Sequence, residues 1–230
     1  VMDISHPAMA VNLDACINCN LCVRACREVQ VNDVIGMAFR GHHEKIVFDF
    51  NDPMGDSTCV GCGECVQACP TGALMPATVL DEHQVRTEFA DREVDSLCPF
   101  CGFGCQLTYH IKDDRILFVD GRDGPANRRR LCVKGRFGYD YAHHPDRLTQ
   151  PLIRRDDVPK NLDDEVDPSN PWTHFRPASW EEAMTRAADG FLEIRERKGG
   201  SGLAGFGSAK GSNEEAYLFQ KLVRTGFGTN

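Results

Sequence analysis

Twelve cysteines, all within the first 132 of 230 positions, constrain this chain more than any other feature. Cys16, Cys19, Cys22 and Cys26 are spaced C-x-x-C-x-x-C-x-x-x-C, and Cys59, Cys62, Cys65 and Cys69 repeat that spacing. Cys98, Cys101 and Cys105 begin a third group, which Cys132 closes after 26 intervening residues, so no thiol is left over. A chain of this length has room for one or two cores and does not need disulfide staples, so thiols gathered at short spacings read as metal ligands. Charged residues at 26% and hydrophobic ones at 41% exclude disorder as the general state. No apolar run reaches the roughly 18 residues of a membrane span. The opening Val1-Met2-Asp3-Ile4-Ser5-His6-Pro7 lacks the basic and apolar regions of a secretory leader, and beginning on Val it is expected to lack the natural start. A net charge of −8 argues against nucleic acid or an anionic membrane as partner. A reducing, cytoplasmic setting is expected.

The tandem runs carry the signature of a two-cluster bacterial ferredoxin. Three thiolates two residues apart on a tight loop reach three irons of one cubane. The fourth, beyond a turn of helix, points away and serves the other cluster. The expected sets are therefore Cys16, Cys19, Cys22 with Cys69, and Cys59, Cys62, Cys65 with Cys26. Small residues at Gly61, Gly63, Ala25 and Ala68 let the backbone approach and offer N–H groups to sulfur. Zinc prefers paired C-x-x-C hairpins and has no use for such a run in tandem. Pro70 follows the second run, but Arg27 takes that place in the first, which should change how the chain leaves the cluster more than whether it binds one. Among the 32 residues between the runs, alternation over 37–40 and 45–50 predicts a hairpin tipped by Gly41-His42-His43.

The third group alone also admits zinc. Its context favours a cluster, because a hairpin over 107–111 and 115–119, joined at Lys112-Asp113-Asp114, would return the chain so that Cys132 closes the site. The stretch 98–135 resembles the amino-terminal cluster domain of the molybdopterin oxidoreductases. Joined to a tandem ferredoxin, it makes the chain similar to the amino-terminal part of the alpha subunit of the soluble NAD-dependent, molybdenum- or tungsten-containing formate dehydrogenases. Residues 207–221 resemble that family's loop and helix preceding the active site.

The resemblance implies an α+β chain: a two-cluster ferredoxin-like domain over 1–92, a small β-rich 4Fe–4S domain over 93–150, a linker over 151–178, and over 179–230 the beginning of an α/β Rossmann-like pterin-binding domain. It implies three 4Fe–4S clusters on the twelve cysteines and, in the full-length subunit, a bis-molybdopterin guanine dinucleotide holding molybdenum or tungsten. Formate is the implied substrate, and the implied partners are a diaphorase subunit with FMN and NAD and a small 2Fe–2S subunit. Lys134, in a Cys-x-Lys-Gly arrangement, is implied to lie between cubane and nearer pterin, and Lys210 and Gly211 to border the pterin nucleotide. The family's metal-ligating Cys or selenocysteine is not among these residues, so this stretch is expected to carry wiring without a catalytic centre and to be inactive alone.

The linker reading rests on a shift to Pro and Asp, including Pro151, Pro159, Pro168, Asp163 and Asp164. Ser179 with Glu182 predicts a capping box opening a helix that runs to Gly199, with Trp180, Ala183, Met184, Ala187, Phe191 and Leu192 at helical spacing. A glycine-rich strand over 203–207 and a second capped helix from Ser212 follow. From the sequence alone an ordinary αβ turn stays open beside a phosphate-binding one. His42-His43 and His143-His144 are adjacent pairs whose side chains diverge, which favours surface roles. Arg128-Arg129-Arg130 reads as a solvated turn. Two other functions share the wiring: a polyferredoxin-like carrier, and the cluster-bearing subunit of an NADH:quinone oxidoreductase or NAD-linked hydrogenase.

Overall fold

The computed structural model describes residues 2–161 and 165–230. Asp163 and Asp164 of the expected linker lie outside the described residues. The chain forms two compact units, Val1–Asp140 and Tyr141–Asn230.

The first unit is assembled from elements too short to stand alone. In chain order they are β1 (Met9–Val11), α1 (Leu21–Arg24), β2 (Ile35–Ala38), β3 (Lys45–Phe48), α2 (Glu64–Ala68), β4 (Leu74–Pro76), β5 (Arg92–Leu97), β6 (Gln106–Lys112), β7 (Arg115–Gly121) and α3 (Val133–Phe137). β1 pairs antiparallel with β4, Ala10 opposite Met75, and the N–H of Asn12 extends the ladder to the Ala73 carbonyl at 2.7 Å. That pairing brings the chain before the first cysteine run beside the chain after the second. β2 and β3 form the predicted hairpin, which turns over Gly41–His43. β5, β6 and β7 make an antiparallel sheet with Val94, Tyr109 and Val119 in register. The β6–β7 turn sits at Asp113 and Asp114, both at positive φ, as the strand twist of a two-residue hairpin demands. β5 was not foreseen. Five of its six residues are exposed, so it lacks the apolar alternation that marks a half-buried strand.

Met9, Val11, Val23, Val34, Ile35, Ile46, Phe48, Met54 and Leu74 form one core, and Cys22, Cys26 and Cys65 are members of it. A smaller core joins Cys98 to Leu107, Val119, Leu131 and Tyr139. The two are clamped at Gly121, whose carbonyl accepts from Gln67 Nε2 at 2.9 Å and whose N–H donates to Gln67 Oε1 at 3.1 Å. A methyl group there would overlap the backbone carbonyl of Arg129, which cannot swing aside as a side chain could. Gly121→Ala is expected to cost about 3 kcal/mol, read as a lowered urea midpoint with the slope unchanged.

The second unit contains β8 (Leu152–Arg154), β9 (Phe175–Pro177), α4 (Trp180–Lys198) and α5 (Asn213–Lys221). β8 pairs antiparallel with β9, Ile153 opposite Arg176, so the two ends of the stretch expected to be an irregular linker are tied together. The sequence disguised this because each strand has only three residues, β8 directly after Pro151 and β9 ending on Pro177. α4 starts as predicted, with Ser179 Oγ accepting from the Glu182 N–H at 3.1 Å, but the Glu182 carboxylate pairs with Arg176 instead of completing the box. α5 has the full box: Glu215 N–H to Ser212 Oγ at 3.2 Å and Ser212 N–H to Glu215 Oε2 at 2.6 Å. Residues 203–207 are not a strand. Leu203 is extended and buried, but no described strand lies alongside to pair its backbone. Leu203, Val223 and Phe227 form a small core with Ile194 and Phe219, while Trp180 and Met184 on the apolar stripe of α4 stay 71% and 63% exposed. Among the described residues no helix is long and apolar enough to cross a membrane.

Candidate metal centres

The two ferredoxin-like loops are built alike. Asn18 and Asn20 in the first, Gly61 and Gly63 in the second, occupy equivalent places around the middle cysteines, and all four have φ between 53° and 73°. Left-handed backbone suits glycine and is tolerated by asparagine. It turns successive N–H groups toward sulfur: Asn18 donates to Cys16 Sγ and Gly61 to Cys59 Sγ, both at 3.4 Å. Asn20 and Gly63 then cap α1 and α2, which carry Cys22 and Cys65. After the fourth cysteines the loops differ. Cys69 is extended before Pro70, whose ring disfavours helix in the residue ahead of it. With Arg27 in that place the helix continues as a π-turn over Ala25–Val29, and Arg27 pairs with Asp33 at 2.6 Å.

Cys16, Cys19, Cys22 and Cys69 line one concavity with Ile17, Ile46 and Leu74. Burial, opposed by the Val23 N–H and reinforced by the neighbouring thiols of Cys16, Cys69 and Cys19, pushes Cys22 up to about 11. Around the second loop burial comes first in raising Cys59, Cys62 and Cys65, and among the smaller contributions Cys26 adds to all three and Cys22 adds to Cys65. Cys62 also feels the Glu64 carboxylate. Cys65 is pushed well above the ordinary thiol range. Cys26 Sγ accepts from the Val34 N–H at 3.3 Å. Cys69 goes the other way, because hydrogen bonds led by the Leu74 N–H outweigh its burial.

Cys101, Cys105 and Cys132 line an open cavity of about 660 Å³ with Phe103, Leu131, Arg128 and Arg130. Buried Cys98 is held to this group by its N–H on the Cys105 carbonyl at 2.9 Å, and the thiols of Cys98, Cys101 and Cys132 all raise Cys105 after burial does. Arg128 and Arg130, expected to be solvated, are exposed yet border this cavity. Asn127 shapes the loop: buried, it accepts from the Gln106 N–H at 3.0 Å and donates to the Gln106 carbonyl at 2.9 Å. The third loop lies beside the second: Arg136, four residues past Cys132, donates its Nε–H to the Cys62 carbonyl at 3.0 Å.

Cys16, Cys19, Cys22 and Cys69 facing one concavity, with the Asn18 N–H aimed at sulfur, suit a cubane. All twelve cysteines are free thiols.

Lys134 is exposed in the first turn of α3. Lys210 is exposed in the turn before α5, with its N–H on Ser208 Oγ at 3.2 Å, and Gly211 precedes the capping Ser212. His42 and His43 are exposed at the hairpin tip, and His144 accepts from the Asp146 N–H, so neither pair joins a thiol set.

The model for a 4Fe–4S dicluster domain matches residues 15–73, that for the molybdopterin oxidoreductase Fe4S4 domain 91–144, and that for molybdopterin oxidoreductase 147–230. The chain is built from molybdopterin oxidoreductase domains. Similar to it are "Probable oxidoreductase YjgC" of Bacillus subtilis (strain 168), 32% identical over 99% of this chain and 25% of that protein, and "Putative formate dehydrogenase SH0748" of Staphylococcus haemolyticus (strain JCSC1435), 31% identical over 94% and 24%. "Putative formate dehydrogenase SAUSA300_2258" of Staphylococcus aureus (strain USA300) matches at 31% over 94% and 24%. This molybdopterin oxidoreductase chain thus spans about a quarter of the length of the curated relatives it matches.

Proposed function

We propose that the chain is the electron-transfer segment of a cytoplasmic formate dehydrogenase. In this reading formate is oxidised at a bis-molybdopterin guanine dinucleotide centre holding molybdenum or tungsten, and electrons leave toward a diaphorase subunit with FMN and NAD by way of a small 2Fe–2S subunit. When bound on the three thiol sets, 4Fe–4S clusters supply one-electron storage at fixed positions. The chain's own residues hold those positions: N–H groups of Asn18, Gly61, Val34 and Leu74 face the sulfurs, the core buries Cys22, Cys26 and Cys65, and the bond from Arg136 to the Cys62 carbonyl keeps the second and third ligand loops adjacent. That last bond carries the reading, because it ties the third thiol group to the tandem pair. The polyferredoxin alternative accounts equally for the thiols but not for the molybdopterin oxidoreductase match over 147–230, while molybdenum or tungsten with pterin in the whole protein separates this reading from an NADH:quinone oxidoreductase or NAD-linked hydrogenase subunit. The test is to add formate anaerobically to the whole protein and follow bleaching of the iron–sulfur absorbance, with molybdenum, tungsten, zinc and iron measured in the same sample.

Lys134 belongs to this proposal. Lys134 stands two residues beyond Cys132 and is exposed, and in this reading its ammonium offsets the negative charge of a thiolate-ligated cluster and hydrogen-bonds a pterin edge. Lys134→Ala in the whole protein is expected to leave iron content unchanged and slow cluster reduction by formate at least about tenfold, the effect of losing one charge-assisted contact. Reduction at the unsubstituted rate removes the role. Lys210 and Gly211, at the capped start of α5, are proposed to border the pterin nucleotide.

A further inference from the structure

We propose that Arg136 and Glu64 form a buried charge pair that sets the reduction potential of the cluster on Cys26, Cys59, Cys62 and Cys65. This deepens the reading above and rests on that set holding a 4Fe–4S cluster. Arg136 lies on α3, four residues past Cys132, and its side chain is 2% exposed. It reaches out of the third cysteine group into the second loop. Nε donates to the Cys62 carbonyl at 3.0 Å, Nη2 to Glu64 Oε1 at 2.9 Å, and Nη1 to the Val119 carbonyl at 3.3 Å and Asp120 Oδ1 at 3.4 Å. Glu64 stands between ligands Cys62 and Cys65, is 8% exposed at its side chain, and also accepts from the Leu131 N–H at 3.1 Å. Gly63 makes room: any Cβ there would collide with the Arg136 stem.

As a weld between loops alone, such a pair is a poor choice, because apolar residues of similar volume replace buried ion pairs at little or no cost. What it adds is charge at a fixed place in a medium that screens weakly. Reduction adds an electron to the cluster, so a nearby cation stabilises the reduced form and a nearby anion opposes it; net charge and hydrogen bonding are levers on cluster potential. Arg136 faces two carboxylates, the buried Glu64 beside ligand Cys65 and the half-buried Asp120 farther along, and Glu64 is the one that stands within one residue of a ligand.

The test is an anaerobic, EPR-monitored redox titration of the whole cluster-loaded protein, with iron content measured on each variant. Glu64→Gln is expected to raise the midpoint potential of this cluster most, that of the third set less, since Glu64 also bonds the Leu131 N–H beside Cys132, and that of the first set least. Combining Glu64→Gln with Arg136→Met, which removes both charges, is expected to return the potential of this cluster toward its starting value. Arg136→Lys, which keeps the charge and loses the fork, should stay near it. Full iron with an unmoved potential in Glu64→Gln overturns the inference while leaving the cluster reading intact. So does a further departure, instead of a return, in the double variant. If the double variant loses its iron, Glu64→Gln and Arg136→Lys decide the matter between them. Zinc in place of iron at this set in the unsubstituted protein would instead defeat the cluster reading itself.

Discussion

Stripping iron from the protein with a chelator under anaerobic, reducing conditions is expected to unfold residues 1–140 and not merely to bleach them. The reason lies in the sizes of the elements. α1, α2 and α3 have four or five residues each, β1 and β4 three, β2 and β3 four. Helices shorter than about 12 residues are marginal in water, and isolated two-stranded pairs fare no better. What gathers these pieces is a core in which Cys22, Cys26 and Cys65 take the places that aliphatic side chains would hold elsewhere. Structural zinc sites contribute on the order of 10–16 kcal/mol, against total stabilities of about 5–15 kcal/mol, so by that scale the loss of all three sites exceeds what the domain can spare. Circular dichroism should report loss of the strand signal, and amide protection should vanish across β1 and β4. Retention of protected amides in the iron-free protein would mean that the apolar core suffices.

How much of this was legible in the sequence depends on how local each determinant is. Cysteine spacing is local, and it marked all three thiol groups. Both hairpins were visible too, because alternation and a polar turn sit side by side in the chain. Arg27 in the place of proline foretold a different exit from the first loop, since the constraint of Pro70 acts on the residue just before it. Determinants that act across the fold stayed hidden. Glu64 and Arg136 are 72 positions apart, and each alone reads as a solvated charge on a short helix. Asn127 looks like a turn residue until its bonds to Gln106 are seen. A signal for Asn18 and Asn20 did exist: laying the two cysteine runs over each other places them on Gly61 and Gly63, and only residues that tolerate positive φ fit all four places. The apolar stripe of α4 was legible as periodicity, which reveals which face is apolar and nothing about what covers it.

Pairs of substitutions test the exchange of fourth ligands between the loops more sharply than single ones. Cys26→Ala and Cys69→Ala should each lose about a third of the bound iron, but so would they if each run of four held its own cluster, since one of three sites is disabled either way. The two arrangements part when substitutions are combined. With the fourth ligands exchanged, Cys26 and Cys59 belong to one cluster, so Cys26→Ala with Cys59→Ala should lose no more iron than either alone. Cys26→Ala with Cys16→Ala, in the same run, should lose two clusters' worth, roughly two thirds. Substitutions at one site overlap and those at independent sites add, so the iron ratio of the two double variants reads the wiring directly. Cys26 bears on the thiols of Cys59, Cys62 and Cys65, and Cys69 shares its concavity with Cys16, Cys19 and Cys22. The reverse pattern, additive for Cys26 with Cys59 and overlapping for Cys26 with Cys16, would require each loop to close on its own fourth cysteine, against the direction in which α1 and α2 carry them.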